Sequence, residues 1–393
     1  MNLTHQIYQI ALAGVLGLLA FNAIYLLIFS VAGLFYRDKK TAKPYYNQRP
    51  RFLVLLPGYK EDAVIVQAVN SVMSQQYPAA QFNCVVIADS FQPETLQYIR
   101  KAGAQVHVFE AGENRSKARA IQSFLNANTT QYDICLVLDA DNVIEPDTLM
   151  KAATYFTKDV QIVQANRIAK NKNNSMARMD AISEVINNHI FRKGQRVMGF
   201  SASLIGSGMF IKMSLFEEVM AGMEVYSGFD KEMELRFLKN RMTIDFASEI
   251  PVYDEKVSAY EVFVNQRRRW VFAQGHFLKT NFPVAVKELF KGNGDFFNKV
   301  FQFALLPRVI TLGLAFAALV LSIPAGLIFT VIASILALAI GIALYLPIQK
   351  EFKISDLIKL SFKLPRMVWG MVYAMLTSHR AAGKFIHTPH QIV

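Results

Sequence analysis

Phe52-Leu53-Val54-Leu55-Leu56-Pro57-Gly58-Tyr59-Lys60-Glu61-Asp62 opens on five apolar residues and then turns abruptly polar. An apolar run without alternation fits a strand buried on both faces. Four more short runs follow it: Cys84–Ala88, Gln105–Phe109, Ile134–Leu138 and Val160–Ala165. Between the first two, Val66, Val69, Val72 and Met73 recur at helical spacing until Tyr77-Pro78 halts the helix. Strand, helix, strand in this rhythm predicts an α/β domain with parallel neighbours in its sheet.

Such sheets bind ligands beyond the carboxyl ends of their strands, and there the unusual polar groups fall. Glu61-Asp62 come after the first run, Asp89-Ser90 after the second, and Asp139-Ala140-Asp141-Asn142 after the fourth. Taken singly, each acid also reads as a solvated loop residue, and Asp62 or Asp89 as a helix N-cap. Three at strand ends point to a shared crevice. Asp139 and Asp141 can hold a hard divalent cation, as Mg²⁺ is held by one or two carboxylates together with substrate phosphates. No glycine-rich phosphate loop accompanies them, which disfavours a P-loop nucleoside triphosphatase. A metal clamp on a departing nucleotide diphosphate fits better.

The flanks have another character. The chain has 393 residues, is 53% hydrophobic and carries a net charge of +12, a composition that excludes a disordered chain. No charged side chain occurs from Ile7 to Tyr36 or from Val309 to Gln349. A bilayer core takes about 20 apolar helical residues. The first run therefore suffices for one span, and the second for a hairpin of two, near 301–322 and 325–347, turning at Pro324. Met1–Gln6 lacks Lys and Arg, and the run exceeds a signal-peptide core, so a retained anchor is expected. Arg37, Lys39, Lys40, Lys43, Arg49 and Arg51 after the first span, and Lys350 and Lys353 after the hairpin, mark the cytoplasmic side. Met367–Thr377, bracketed by Arg366 and Arg380, is too short to cross and is expected in the interface. The positive charge then meets anionic lipid, and without a nucleic-acid motif no nucleic-acid partner is expected. Cys84 and Cys135 sit in apolar runs as ordinary buried thiols, with no zinc-binding spacing.

Leu56-Pro57-Gly58-Tyr59-Lys60-Glu61, Ala88-Asp89-Ser90, Leu138-Asp139-Ala140-Asp141, Phe229-Asp230-Lys231-Glu232 and Gln266-Arg267-Arg268-Arg269-Trp270 occur in one order. That order resembles the membrane-bound family 2 glycosyltransferases, the class of cellulose, hyaluronan, chitin and poly-N-acetylglucosamine synthases. The resemblance covers about residues 50–275, and Gln-x-x-Arg-Trp is its most specific part. It implies a Rossmann-like GT-A catalytic domain facing the cytoplasm at the inner membrane, and an inverting transfer from a nucleotide-sugar donor, most often a UDP-sugar. The expected division is an N-terminal span over 1–36, the GT-A domain over 37–255, interfacial helices over 256–300, two spans over 301–348 and an interfacial and gating segment over 349–393.

Carried over, Pro57, Tyr59 and Glu61 would lie at the base and ribose, and Asp89 at the uracil or ribose. Asp139 and Asp141 would hold the donor phosphates through Mg²⁺ or Mn²⁺. Arg115 and Lys117, after Glu113-Asn114, match the basic element near the donor, where a helix N-terminus favours phosphate. The catalytic base would be Asp230 if Phe229 replaces the preceding acid, or Glu232 if the helix is aligned by Leu235; Asp230 is preferred, at a helix start after Gly228. Gln266, Arg269 and Trp270 would serve the diphosphate and the acceptor, whereas Arg267 and Arg268 would meet lipid headgroups. Val163–Arg167 and Gly206-Ser207-Gly208 resemble elements around the acceptor, though turn chemistry explains them equally. Lys384–His390 resembles a gating segment with Phe385 in place of Trp.

The leading expectation is a synthase that extends an exported polysaccharide. A single-addition transferase acting on a lipid acceptor shares the same architecture and the Gln-x-x-Arg-Trp element. The departures at Phe229 and Phe385 leave a third reading, an inactive membrane scaffold or transporter.

Overall fold

The computed structural model describes residues 3–38, 49–110, 115–224 and 228–381. Lys39, Lys40 and Lys43 of the basic flank, Glu113-Asn114 and the whole Lys384–His390 segment lie outside the described residues.

Among the described residues, eight strands form one sheet: β1 (Phe52–Tyr59), β2 (Phe82–Asp89), β3 (Gln105–Val108), β4 (Ile134–Val137), β5 (Val143–Ile144), β6 (Ile162–Ala169), β7 (Met209–Lys212) and β8 (Asp245–Asp254), in the order β3-β2-β1-β4-β7-β6-β8-β5. The first four are parallel, as the apolar runs predict. β1 explains why: Phe52, Val54 and Leu56 pack on one face with Ile65, Val69 and Val72 of the Ile65–Met73 helix. Leu53 and Leu55 pack on the other with Ala118, Ile121 and Phe124 of the Lys117–Ala127 helix. The five residues Phe52–Leu56 are all fully buried, so alternation has no meaning in this part of the strand.

The second half of the sheet departs from the parallel expectation. β7 runs antiparallel between β4 and β6, and β5 pairs antiparallel with β8 at the edge. β7 does not return through a βαβ crossover. It is reached from β6 through the Ser175–Asn188 helix, a π-helical turn at His189–Gly194 and a loop that enters the sheet from the strands' carboxyl side.

Among the described residues, three helices are long and apolar enough to cross a membrane: Leu3–Gly33, the segment from Arg308 to Ala325, and Leu327–Tyr345. Leu12, Leu16, Leu19, Ala23 and Leu26 of the first pack with Ala315, Ala318, Ala333, Ile340 and Ala343 of the other two. The hairpin turns at Ile323–Ala325, around Pro324. Its first helix begins at Arg308, seven residues after the expected start, because Leu305-Leu306-Pro307 break the chain after a separate Gly294–Gln302 helix. Buried Asn22 satisfies that break by accepting the Leu306 N–H at 2.9 Å.

The first apolar helix is tied to the sheet at its carboxyl end. β8 bulges between Ala247 and Pro251, opposite Ala165 and Asn166 of β6. The looped-out Ser248 donates its N–H to Asp38 at 3.0 Å and its hydroxyl to the same carboxylate. The Gln-x-x-Arg-Trp element lies in a 31-residue helix, Tyr260–Phe290, that packs through Ala273 and Phe277 against Gly228, at the start of the Phe229–Lys239 helix, and on the Leu364–Leu376 helix through Phe263 and Val264.

Candidate active site

The carboxyl ends of β1, β2, β6 and β8 and the turn after β4 open into one cavity of about 610 Å³. Pro57, Tyr59, Glu61, Asp89, Arg115, Lys117, Asp139 and Asp141 line it from the sheet side. Gln266, Arg267, Arg269 and Trp270 line it from the long helix. Residues more than two hundred positions apart thus share one wall.

At the β1 and β2 ends, Arg115 binds Asp89 through both carboxylate oxygens, at 2.5 and 3.2 Å, and its guanidinium lies 4.1 Å over the Tyr59 ring. A smaller cavity of about 360 Å³ shares Asp89 and Arg115 and is floored by Phe91, Leu96 and Phe109. Lys117 opens its helix after Ser116, whose side chain caps the Arg119 N–H. Its ammonium reaches Asp139 at 2.5 Å and the Gly206 carbonyl at 2.8 Å.

Asp139, Asp141 and Asp254 each offer a carboxylate oxygen, all within 4.8 Å of one another. Asn142 braces two of them, donating to Asp141 at 3.1 Å and to Asp254 at 3.2 Å. An all-oxygen anionic set of this kind fits Mg²⁺ or Mn²⁺. Burial pushes the Asp254 carboxyl up, but Arg167 and Lys256 outweigh it and hold the group below its ordinary value, ready as an anion. Asp254 carries no motif, yet it ends an apolar strand as Asp89 does; the strand-end rule applied to Ile250–Tyr253 finds it.

The two candidate bases do not line the cavity. Their helix, Phe229–Lys239, starts after Gly228 at φ +76°, a left-handed conformation that glycine adopts freely. Asp230 stands directly behind the loop that bounds the cavity: a Cβ built on Gly206 would lie 3.8 Å from its carboxyl carbon. Burial raises the Asp230 pKa, and Glu234 adds to this against Lys231 and Lys117. Glu232 turns the other way. It pairs with Arg236 at 2.8 Å, and Arg236 donates on to the Val219 and Ala221 carbonyls.

Arg267 does not meet solvent or headgroups as expected from the sequence. It is drawn inside, paired with Asp180 at 2.6 Å and stacked 4.3 Å over the Trp270 ring. The reason is helical phase: Phe263, Arg267 and Trp270 share one face, and Asp180 on the Ser175–Asn188 helix supplies the counter-charge. Arg268 is half-buried, donating to Thr377 Oγ1 at 2.9 Å and lying over Tyr373. The Gln266 side-chain oxygen is buried without a hydrogen-bond partner among the described residues, a condition native proteins rarely leave unless a ligand or water completes it.

Behind these groups is a charged wall that sequence reasoning missed apart from Arg167. Glu184 accepts from Arg167 at 2.7 Å, Arg192 at 3.1 Å and Lys256 at 3.2 Å. Gln164, in the Val163–Arg167 stretch, donates to the Ser207 carbonyl at 2.8 Å and so fixes the Gly206-Ser207-Gly208 loop.

A family model described as "Glycosyltransferase like family 2" matches residues 50–273, more than half of the chain. Among curated proteins, the chain is 24% identical over 227 residues to a beta-monoglucosyldiacylglycerol synthase of Synechocystis, covering 56% of this chain and 47% of that one. It is 24% identical over 208 residues to a poly-beta-1,6-N-acetyl-D-glucosamine synthase of Staphylococcus epidermidis, covering 51% and 50%. The chain thus spans about half the length of the curated relatives it matches. Its fold is shared with a mannosyltransferase of Pyrobaculum calidifontis solved with GDP-Man and Mn²⁺, at a TM-score of 0.58 and 18% identity, covering 96% of this chain and 98% of that one. The family match spans β1 to the Gln266–Trp270 helix, the same stretch whose ends meet across the cavity, and by it the chain belongs to glycosyltransferase family 2.

Proposed function

We propose that this chain transfers a sugar from a nucleoside diphosphate sugar to a hydroxyl of a growing polysaccharide at the cytoplasmic face of a membrane, inverting the anomeric carbon. The observation that carries the reading is the single cavity in which Tyr59, Asp89, Lys117, Asp139 and Asp141 meet Gln266, Arg269 and Trp270. Pro57, Tyr59, Glu61 and Asp89 would hold the base and ribose. Arg115, Lys117 and Arg269 would hold the diphosphate, and arginine suits that task because its planar fork donates two hydrogen bonds. Asp139, Asp141 and Asp254 would hold Mg²⁺ or Mn²⁺, which neutralises charge on the departing diphosphate.

Asp230 would take the proton of the acceptor hydroxyl as its oxygen bonds to the anomeric carbon, while the bond from that carbon to the diphosphate breaks on the opposite face. A raised Asp230 pKa suits a general base, which works best when its pKa approaches the working pH. Trp270, 43% exposed, would present a ring face to the acceptor sugar.

A second reading, addition of a single sugar to a lipid, is supported by the name of the Synechocystis relative and by the apolar helices beside the site. The test is purified full-length chain given UDP- and GDP-sugars with Mg²⁺ or Mn²⁺, read for nucleotide release and product length, with Asp141→Ala as control. A ladder of polymers, lost in Asp141→Ala, supports the synthase. A single mono-glycosylated lipid replaces it with the second reading, and no release from any donor overturns both in favour of an inactive scaffold.

A further inference from the structure

The helix that begins at Asp230 carries a second carboxylate that the transfer does not use. Glu234, one turn further on, is fully buried. It accepts from Lys299 at 2.8 Å, from Lys231 at 3.1 Å and from the Leu204 N–H at 3.2 Å. Lys299 belongs to the Gly294–Gln302 helix, is buried as well, and also donates to Ser203 and to Gln302. Lys231 is shared: it donates to the Leu204 carbonyl and stands 3.7 Å from Asp230. Leu204 in turn leads into Ile205-Gly206, the loop against Asp230.

A plain structural tie between two helices would need one lysine and one carboxylate. Here two ammonium groups face two carboxylates, and the set is electroneutral only when Asp230 is ionised. The other charged groups nearby are Lys117, facing Asp230 across the loop, and Asp295, facing Lys299 while accepting from Ser201. Arg192 lies further off on the Glu234 side.

We propose that Glu234, acting through Lys231, is a positioning residue for Asp230, and that Lys299 anchors this coupling to the Gly294–Gln302 helix. The inference rests on the reading of Asp230 as the base. Lys231 divides its charge between two carboxylates, so what Glu234 gains Asp230 loses. Neutralising Glu234 frees Lys231 for Asp230 and favours its ionised form. Removing Lys299 leaves Glu234 to claim Lys231 and disfavours that form. Two changes in one pair therefore act on Asp230 in opposite directions, whereas mere loosening of the helix would act in the same direction.

The test uses the full chain in detergent or nanodiscs, as wild type, Glu234→Gln, Lys299→Met and Asp230→Asn. The infrared carbonyl band of the protonated Asp230, identified by its loss in Asp230→Asn, is titrated without substrate. Glu234→Gln should move its midpoint down and Lys299→Met up, each by about one pH unit. The acid limb of kcat should move with it, read as nucleotide release from whichever of UDP-glucose, UDP-N-acetylglucosamine or GDP-mannose the wild type turns over. The donor KM should stay within about twofold, since only the proton-transfer step is touched. Midpoints that stay put, or move together, overturn the coupling. Full turnover in Asp230→Asn overturns the base reading alone and leaves the infrared result to decide the coupling. If Glu234→Gln alone does not fold, the double variant Glu234→Gln/Lys299→Met takes its place and should bring the midpoint back to or below the wild-type value, because Lys231 is then freed for Asp230; a midpoint as high as in Lys299→Met alone overturns the coupling.

Discussion

At the residue scale, the sequence exposes acids that sit in motifs and hides those that do not. Asp139 and Asp141 announce themselves by spacing, and Asp89 by its place after an apolar run. Asp254 and Glu184 stand alone in the chain, and their neighbours in space come from 70 or more positions away, apart from Lys256 beside Asp254 and Arg167 and Arg192 beside Glu184. Only the fold makes a cluster of them. Asp254 tests whether the third carboxylate belongs to the proposed metal site. Its other partners, Lys256 at 2.6 Å and Arg167 at 3.7 Å, retain Glu184 when it is neutralised, so Asp254→Asn should fold. The variant should bind Mn²⁺ at least about tenfold more weakly, the scale seen when groups supporting a metal are removed. Free Mn²⁺ followed by electron paramagnetic resonance measures this without any sugar donor. Wild-type affinity would make Asp254 purely a partner of the basic wall and leave Asp139 and Asp141 as the metal pair.

At the element scale, what was legible is what local pattern encodes: the five short runs became strands, and Pro324 became the hairpin turn. The antiparallel β7 was not legible, because Met209–Lys212 is four residues long and its direction is set by a connection of some forty residues. Nor was the seat of the first apolar helix, which depends on two glycines. A Cβ on Gly194, in the π-helical turn, would lie 2.1 Å from the Phe29 carbonyl oxygen, and one on Gly33 would lie 2.6 Å from the His189 ring. The first contact is with backbone, so no rotamer change relieves it. Gly194→Ala should push the helix off the domain and cost about 1–3 kcal/mol, the usual price of overpacking. Gly17→Ala, in the same apolar helix with nothing within 4 Å, serves as the control and should melt at or above wild type. Equal melting temperatures for Gly194→Ala and wild type in one detergent would mean that the close seat contributes nothing.

At the scale of the whole molecule, the charged wall joins the catalytic sheet to the apolar helices. Glu184 on the Ser175–Asn188 helix gathers Arg167 from β6, Lys256 from beyond β8 and Arg192 from the turn that packs on Leu3–Gly33. On the same helix, Ser183, next to Glu184, and Asn187, one turn on, accept from Arg308, the first residue of the hairpin. Composition alone divides the chain into apolar flanks and a basic middle, but not into a single body hinged on one carboxylate. Burial pushes the Glu184 pKa up, yet Arg167, Lys256 and Arg192 outweigh it and hold the group well below its ordinary value. A depressed folded value means that the group stabilises the fold above its unfolded pKa, about 4.3, and that this contribution is lost as pH falls through the folded value. Glu184→Gln never carries the charge and leaves three buried cations short of a partner, so at pH 7 it should be less stable by about 3–5 kcal/mol. Asp230 and Asp295, whose raised values work in the opposite sense, titrate alike in both proteins and cancel from the difference. The gap between wild type and variant should therefore be widest at neutral pH and narrow progressively below about pH 4. Thermal melting of both proteins across that range measures it. A gap of the same size at pH 7 and at pH 3 would mean that shape and hydrogen bonding at Glu184, rather than its charge, hold the sheet to the apolar helices.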